Sequence, residues 1–205
     1  MGRDWPLSSG FDVRGGSILL GARFAENDFF YIYATFTLAY ATQALGMNRQ
    51  DILNGVLLAA AIEVFTIPAF GALSDRLGRR PVYIFGAIFS AVMSFPLFML
   101  LGTKNPQLGW IAIVLGLAVG HAAMYGPRAS FFSELFGTKV RYSGVSLGYN
   151  LASIFAGALS PLIAIGLMTA YKPETWPISI YMIGLALITI VSVYFAAETR
   201  NRAKA

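Results

Sequence analysis

Six apolar runs, separated by short breaks that are charged or rich in Pro and Gly, lie at about 28–46, 51–73, 81–103, 108–135, 144–170 and 177–197. A helix rises 1.5 Å per residue, so spanning a hydrocarbon core of about 30 Å takes roughly 20 apolar residues. In lipid a helix satisfies every backbone hydrogen bond within itself, which an irregular chain cannot do. The runs are apolar all round and exceed an ordinary core helix in length, which excludes an amphipathic surface protein. Composition agrees, with 57% hydrophobic and 12% charged residues, against roughly 45–50% and about 25% in soluble domains. The expected fold is therefore an all-α integral membrane protein with six transmembrane helices. Residues 1–27 read as a cytoplasmic N-terminal segment, 28–197 as the bundle and 198–205 as a cytoplasmic tail.

An even number of spans puts both ends on one side, and the basic residues say which. Arg3, Arg14, Arg23, Arg76, Arg79, Arg80, Lys139, Arg141, Arg200, Arg202 and Lys204 fall on the side of the termini, while Arg49, Lys104 and Lys172 fall on the other. That bias places both termini in the cytoplasm. Trp110 and Trp176 sit near the outer ends of spans, where interfacial anchors are expected. A net charge of +5 that is scattered rather than clustered gives no nucleic-acid footprint. With no Cys, one His, no G-x-S-x-G and no phosphate-binding loop, the chain holds no enzyme constellation and no metal or cofactor site.

Between spans two and three stands Gly71-Ala-Leu-Ser-Asp75-Arg76-Leu-Gly78-Arg79-Arg80-Pro81. Gly71 permits close helix approach, and Gly78 the dihedrals of a tight turn. Asp75, at a helix end, can pair with Arg79 or accept from a neighbouring helix N-terminus. Alternatively Arg76, Arg79 and Arg80 only enforce topology. The pattern G-x-x-x-D-R-x-G-R-R resembles the signature loop of the major facilitator superfamily of secondary transporters. A second block, from Tyr125-Gly-Pro-Arg128 through Glu134 and Arg141-Tyr-Ser-Gly144 to Tyr149-Asn150, resembles helices ten and eleven of its metabolite:proton symporter branch. Members of that branch move osmolytes, shikimate, dicarboxylates and related small acids.

Together with Ala25-Glu26-Asn27, that block implies helices seven to twelve, the C-terminal half of a twelve-helix carrier. Residues before about 22 would then be the remnant of the central loop. By the same resemblance Glu134 and Arg141 join Asp75 and Arg79 in a charge network closing the inner gate. The branch often carries a small amide residue after Gly-Pro, and this chain departs from it with Arg128.

Polar residues inside the spans supply the candidate site. Glu63 lies about twelve residues into span two, roughly 18 Å from its outer end and near the bilayer centre. There it faces a cavity, pairs with a cation, carries a coupling proton, or bonds as a neutral acid to another helix. His121, Tyr125 and Arg128, spaced i, i+4, i+7, form one helical stripe. In a cavity Arg128 would bind a substrate carboxylate, His121 exchange a proton and Tyr125 orient either; otherwise Arg128 snorkels to the cytoplasmic surface or pairs with a gate carboxylate. Gly126-Pro127 predicts a kink or an unwound turn. Tyr33, Thr37 and Tyr40 share a face of span one, either as a pore wall or as interhelical hydrogen bonds. Gly144, Gly148, Gly157 and Ser160 in span five are packing steps, while Tyr149 and Asn150 are polar groups to be satisfied inside the bundle.

These readings imply proton-coupled secondary transport of a small organic acid or zwitterion in the inner (plasma) membrane. The partners are then substrate, protons, lipid and a second six-helix half, as a homodimer or a separate chain. The other reading is a truncated fragment that does not transport and serves at most as a helix-packing partner.

Overall fold

The computed structural model describes residues 13–135 and 159–196, all of whose regular elements are helical. Four of these helices are long and apolar enough to cross a membrane: Arg49–Leu77, Arg79–Gly102, Pro106–Phe132 and Trp176–Phe195. They coincide with expected spans two, three, four and six. Their outer faces carry Phe65, Met99 and Phe195 at 77%, 72% and 69% exposure, a surface suited to hydrocarbon rather than water.

Helix α1 (Val13–Tyr31) begins well before the first apolar run and is prolonged by two π-helical turns, Ile32–Phe36 and Tyr40–Ala44, around the short turn Thr37–Ala39. Each π turn closes i→i+5 bonds and so shifts side chains off the α-helical register. Helix α2 (Arg49–Leu77) starts where Asn48 accepts from the Gln50 N–H at 2.8 Å, with Asp51 in its first turn, both favourable at a helix N-terminus. It stops at Gly78, whose φ of 115° is a backbone that other residues avoid. Helix α3 (Arg79–Gly102) follows at once. Helix α4 (Pro106–Leu115) has Asn105 as its cap, accepting from Gln107 N–H at 3.0 Å. It passes through a π-helical segment, Gly116–His121, into α5 (Ala122–Leu135). Helices α6 (Leu159–Ala170) and α7 (Trp176–Phe195) complete the described part. Of the fifth expected span, α6 is the described portion.

Buried polar groups pin α1 to its neighbours. Thr189 of α7 accepts from the Ala25 N–H at 3.0 Å and donates to the Gly21 carbonyl at 2.7 Å, while Tyr83 of α3 donates to the Ala22 carbonyl at 2.9 Å. Without water, such bonds serve where the hydrophobic effect gives helices no reason to associate. Helix α5 stays regular through Gly126-Pro127, and the unwound turn lies upstream at Gly116–His121. A Cβ on Gly126 would stand 2.7 Å from both the Gly71 nitrogen and the Ile67 carbonyl oxygen. At this point α2 and α5 cross backbone to backbone. Gly71 itself has ordinary clearance, with the Gly126 oxygen 3.5 Å from an added Cβ. The close approach read from Gly71 therefore depends on Gly126.

Candidate functional site

Three helices bring charged side chains together around one cavity of about 350 Å³. Helix α1 contributes Glu26 and Asn27, α2 contributes Glu63, and the π segment with α5 contributes His121, Tyr125 and Arg128. Such a volume falls within the roughly 300–1,000 Å³ of small-molecule sites.

Glu26 is 2% exposed and stands at the centre of the charges. Arg128 donates from Nη1 to Glu26 Oε1 at 2.8 Å, and Arg23 Nη1 lies 3.2 Å from Glu26 Oε2. His121 Nδ1 lies 2.6 Å from Glu63 Oε1, while its Nε2 is 3.9 Å from Glu26 Oε1. The imidazole thus stands between two carboxylates from different helices. Either its Nδ1–H donates to an ionised Glu63, or a protonated Glu63 donates to the ring. The Arg128 guanidinium stacks over the Tyr125 ring at 3.8 Å, and Phe30 and Tyr125 flank the imidazole with centroids at 5.2 Å. Stacking leaves the guanidinium edge available to planar acceptors such as carboxylates.

The expected stripe of His121, Tyr125 and Arg128 lines this cavity, opposite Glu63. Tyr33, Thr37 and Tyr40 do not reach it. They are buried in the core, where Thr37 donates to the Ile32 carbonyl at 2.9 Å, and Tyr40 stacks on Phe36 and meets Phe98 edge-on. Tyr149, Asn150 and Arg141 lie outside the described residues, as do Gly144, Gly148 and Gly157; Glu134 belongs to α5, and its side chain is likewise outside.

The loop charges take separate roles. Asp75 pairs with Arg79 across the Gly78 turn, and Arg79 also donates to Ser74 Oγ at 2.8 Å. Arg80 reaches the far end of α7, donating to the Val193 carbonyl at 3.1 Å and to that of Tyr194, whose ring lies 5.6 Å from the guanidinium. It therefore caps a helix C-terminus, where a cation meets unpaired carbonyls and the negative end of the helix dipole. Arg76 is exposed. Run length alone puts Arg23 and Glu26 ahead of the first span, whereas both are buried within the protein. The signal that would have found them is an ion pair at i, i+3 in a stretch whose apolar residues, Phe24, Ala25 and Phe29, continue the helical period of span one.

Comparison with known proteins adds a second line of observation. Residues 25–203 match the family model for sugar (and other) transporters. The chain is 32% identical over 185 residues to the shikimate transporter of Escherichia coli K12, covering 89% of this chain and 42% of that protein. It is 32% identical to the inner membrane metabolite transport protein YhjE of the same organism, with 84% and 40% covered. To the glycine betaine/proline/ectoine/pipecolic acid transporter OusA of Dickeya dadantii it is 30% identical, with 90% and 36% covered. The chain thus spans about two fifths of the length of these relatives. No solved structure matches it.

Proposed function

The chain belongs to the sugar (and other) transporter family of the major facilitator superfamily, and from that premise we propose that it forms one half of a proton-coupled, alternating-access carrier for a small organic acid or zwitterion. The family and the relatives are transporters and not enzymes. The observation that supports the reading is the pairing of Arg128 with Glu26 beside the His121–Glu63 pair in one cavity.

The charge balance of that cluster carries the chemistry. With Arg23 and Arg128 cationic, Glu26 and Glu63 ionised and His121 neutral, the buried group sums to zero. A substrate carboxylate competes with Glu26 for Arg128 and brings one negative charge into a low-dielectric site, where an unbalanced charge is costly. One proton taken up by the imidazole or by either glutamate restores neutrality. Anion and proton therefore bind together and leave together, which is the logic of symport. A zwitterion would instead place its carboxylate on Arg128 and its cationic group toward Glu63. On this reading a second six-helix half supplies the facing walls of the site, and this one rocks against it.

The test is uptake of labelled shikimate and of labelled glycine betaine into vesicles under an imposed inward proton gradient. It is run with this chain alone and with a co-expressed N-terminal half of a relative. Gradient-driven uptake that falls at least tenfold in Arg128→Ala and loses its gradient dependence in Glu63→Gln supports the reading. Silence in both settings, with the protein inserted in the membrane, leaves a fragment that does not transport. Two relatives' substrates differ in charge, so the preferred label also separates an anion site from a zwitterion site.

A further inference from the structure

On α1, Asp28 follows Glu26 by two residues, a rotation of roughly 200° on a helix of 3.6 residues per turn. Its carboxyl therefore leaves the cavity and enters the seam where α1 meets α6 and α7. Asp28 is fully buried, and among the described residues no donor meets either carboxyl oxygen at close hydrogen-bonding geometry. The hydroxyls of Ser160 from α6 and Tyr181 from α7 flank it, and hydrogen-bond to each other at 3.2 Å. Arg23 and Arg128 reach Glu26 on the other side of the helix. Among the described residues the titratable group that faces Asp28 is Tyr181, an acid itself rather than a cation.

An ionised carboxylate enclosed in this way is strongly unfavourable, whereas the neutral acid is not. The neutral form also fits its surroundings. Its O–H can donate to one flanking hydroxyl while its carbonyl oxygen accepts from the other. We propose that Asp28, with Ser160 and Tyr181, is a proton-binding site separate from the Glu63–His121 pair and occupied in this conformation. The proton leaves only when the seam between α1, α6 and α7 opens to water, because only hydration makes the carboxylate affordable. Site and seam are therefore linked: deprotonation favours separation of α1 from α6 and α7. This holds whether or not the chain carries substrate.

Infrared spectroscopy of the chain in lipid nanodiscs reads the site directly. The expected result is a carbonyl stretch of a protonated carboxylic acid at neutral pH that is lost in Asp28→Asn and kept in Glu63→Gln. Asparagine has the shape of the neutral acid, so the variant should keep its helical circular dichroism. Should Asp28→Asn fail to fold, the Ser160→Ala and Tyr181→Phe variants decide, since each removes one of the two hydroxyls that flank the acid. Movement of the band in either supports the proposal, and an unmoved band in both overturns it. An absorption band identical in the wild type and a folded Asp28→Asn variant also overturns it. So does a rise in melting temperature with sodium over choline that vanishes in Asp28→Asn, since the carboxylate would then be ionised around a metal cation.

Discussion

Glu26 has two guanidinium partners, and that asymmetry sets what each substitution should do. Removing the central carboxylate leaves Arg23 and Arg128 facing each other's charge in a buried site, and breaking a buried pair typically costs about 3–5 kcal/mol. Glu26→Gln should therefore lower the stability measured by denaturant titration in micelles by about that much. Arg128→Gln should lose less, because Arg23 remains 3.2 Å from the carboxylate. An equal loss in the two variants would mean that Arg23 contributes nothing. Gly126 gives a second contrast. An added methyl meets backbone atoms at 2.7 Å that cannot swing aside, so Gly126→Ala should cost about 1–3 kcal/mol, whereas Gly71→Ala should be close to neutral; a tolerated Gly126→Ala would show that α2 and α5 can separate freely. At this scale the sequence pointed to part of the cavity lining. Glu63, His121, Tyr125 and Arg128 were legible because a charged or polar residue inside an apolar run is conspicuous. Glu26 and Arg23 were not, because the first apolar run begins at 28, after both, and Asp28 stands at the very edge of that run, where a carboxylate is ordinary; the structure nonetheless buries all three.

Helix ends and irregular turns decide how the elements meet. Arg80 ties the start of α3 to the last carbonyls of α7, which makes it more than a topological charge. A cation at a helix C-terminus contributes about 0.3–1 kcal/mol when exposed and up to roughly 2 kcal/mol when partly buried. Arg80→Ala should then speed amide exchange in the last turn of α7, at Ser192 to Ala196, without changing exchange at its start. Uniform acceleration along α7 would instead mean that Arg80 holds the whole helix. The spans at Arg49–Leu77, Arg79–Gly102 and Trp176–Phe195 were legible from run length, caps and the Gly78 turn. The π turns at Ile32–Phe36, Tyr40–Ala44 and Gly116–His121 were not, since no local composition marks where a helix widens by one residue. Tyr33, Thr37 and Tyr40 pack into the core within or between two of these turns, and His121, the last residue of the third, meets Glu63.

For the molecule as a whole, the orientation inferred from the basic residues becomes a measurable statement. Helix α2 has 29 residues, a length of roughly 43 Å at 1.5 Å per residue. That exceeds the hydrocarbon core and puts Asn48 and Arg76 beyond opposite faces. Helix α3 returns, so Thr103 and Lys104 emerge on the face of Asn48. If the positive-inside bias governs insertion, Arg76 faces the cytoplasm and Thr103 the outside. Both are exposed, and the chain has no cysteine to interfere, so single-cysteine labelling reports each side cleanly. In intact spheroplasts a membrane-impermeant maleimide should label Thr103→Cys and leave Arg76→Cys untouched until the membrane is permeabilised. The opposite pattern inverts the orientation. Labelling of both in intact spheroplasts would mean that the chain inserts in two orientations, because the Arg76, Arg79 and Arg80 cluster alone does not then retain the loop inside. That outcome would place a determinant of topology in the stretch of the relatives' length that this chain does not span.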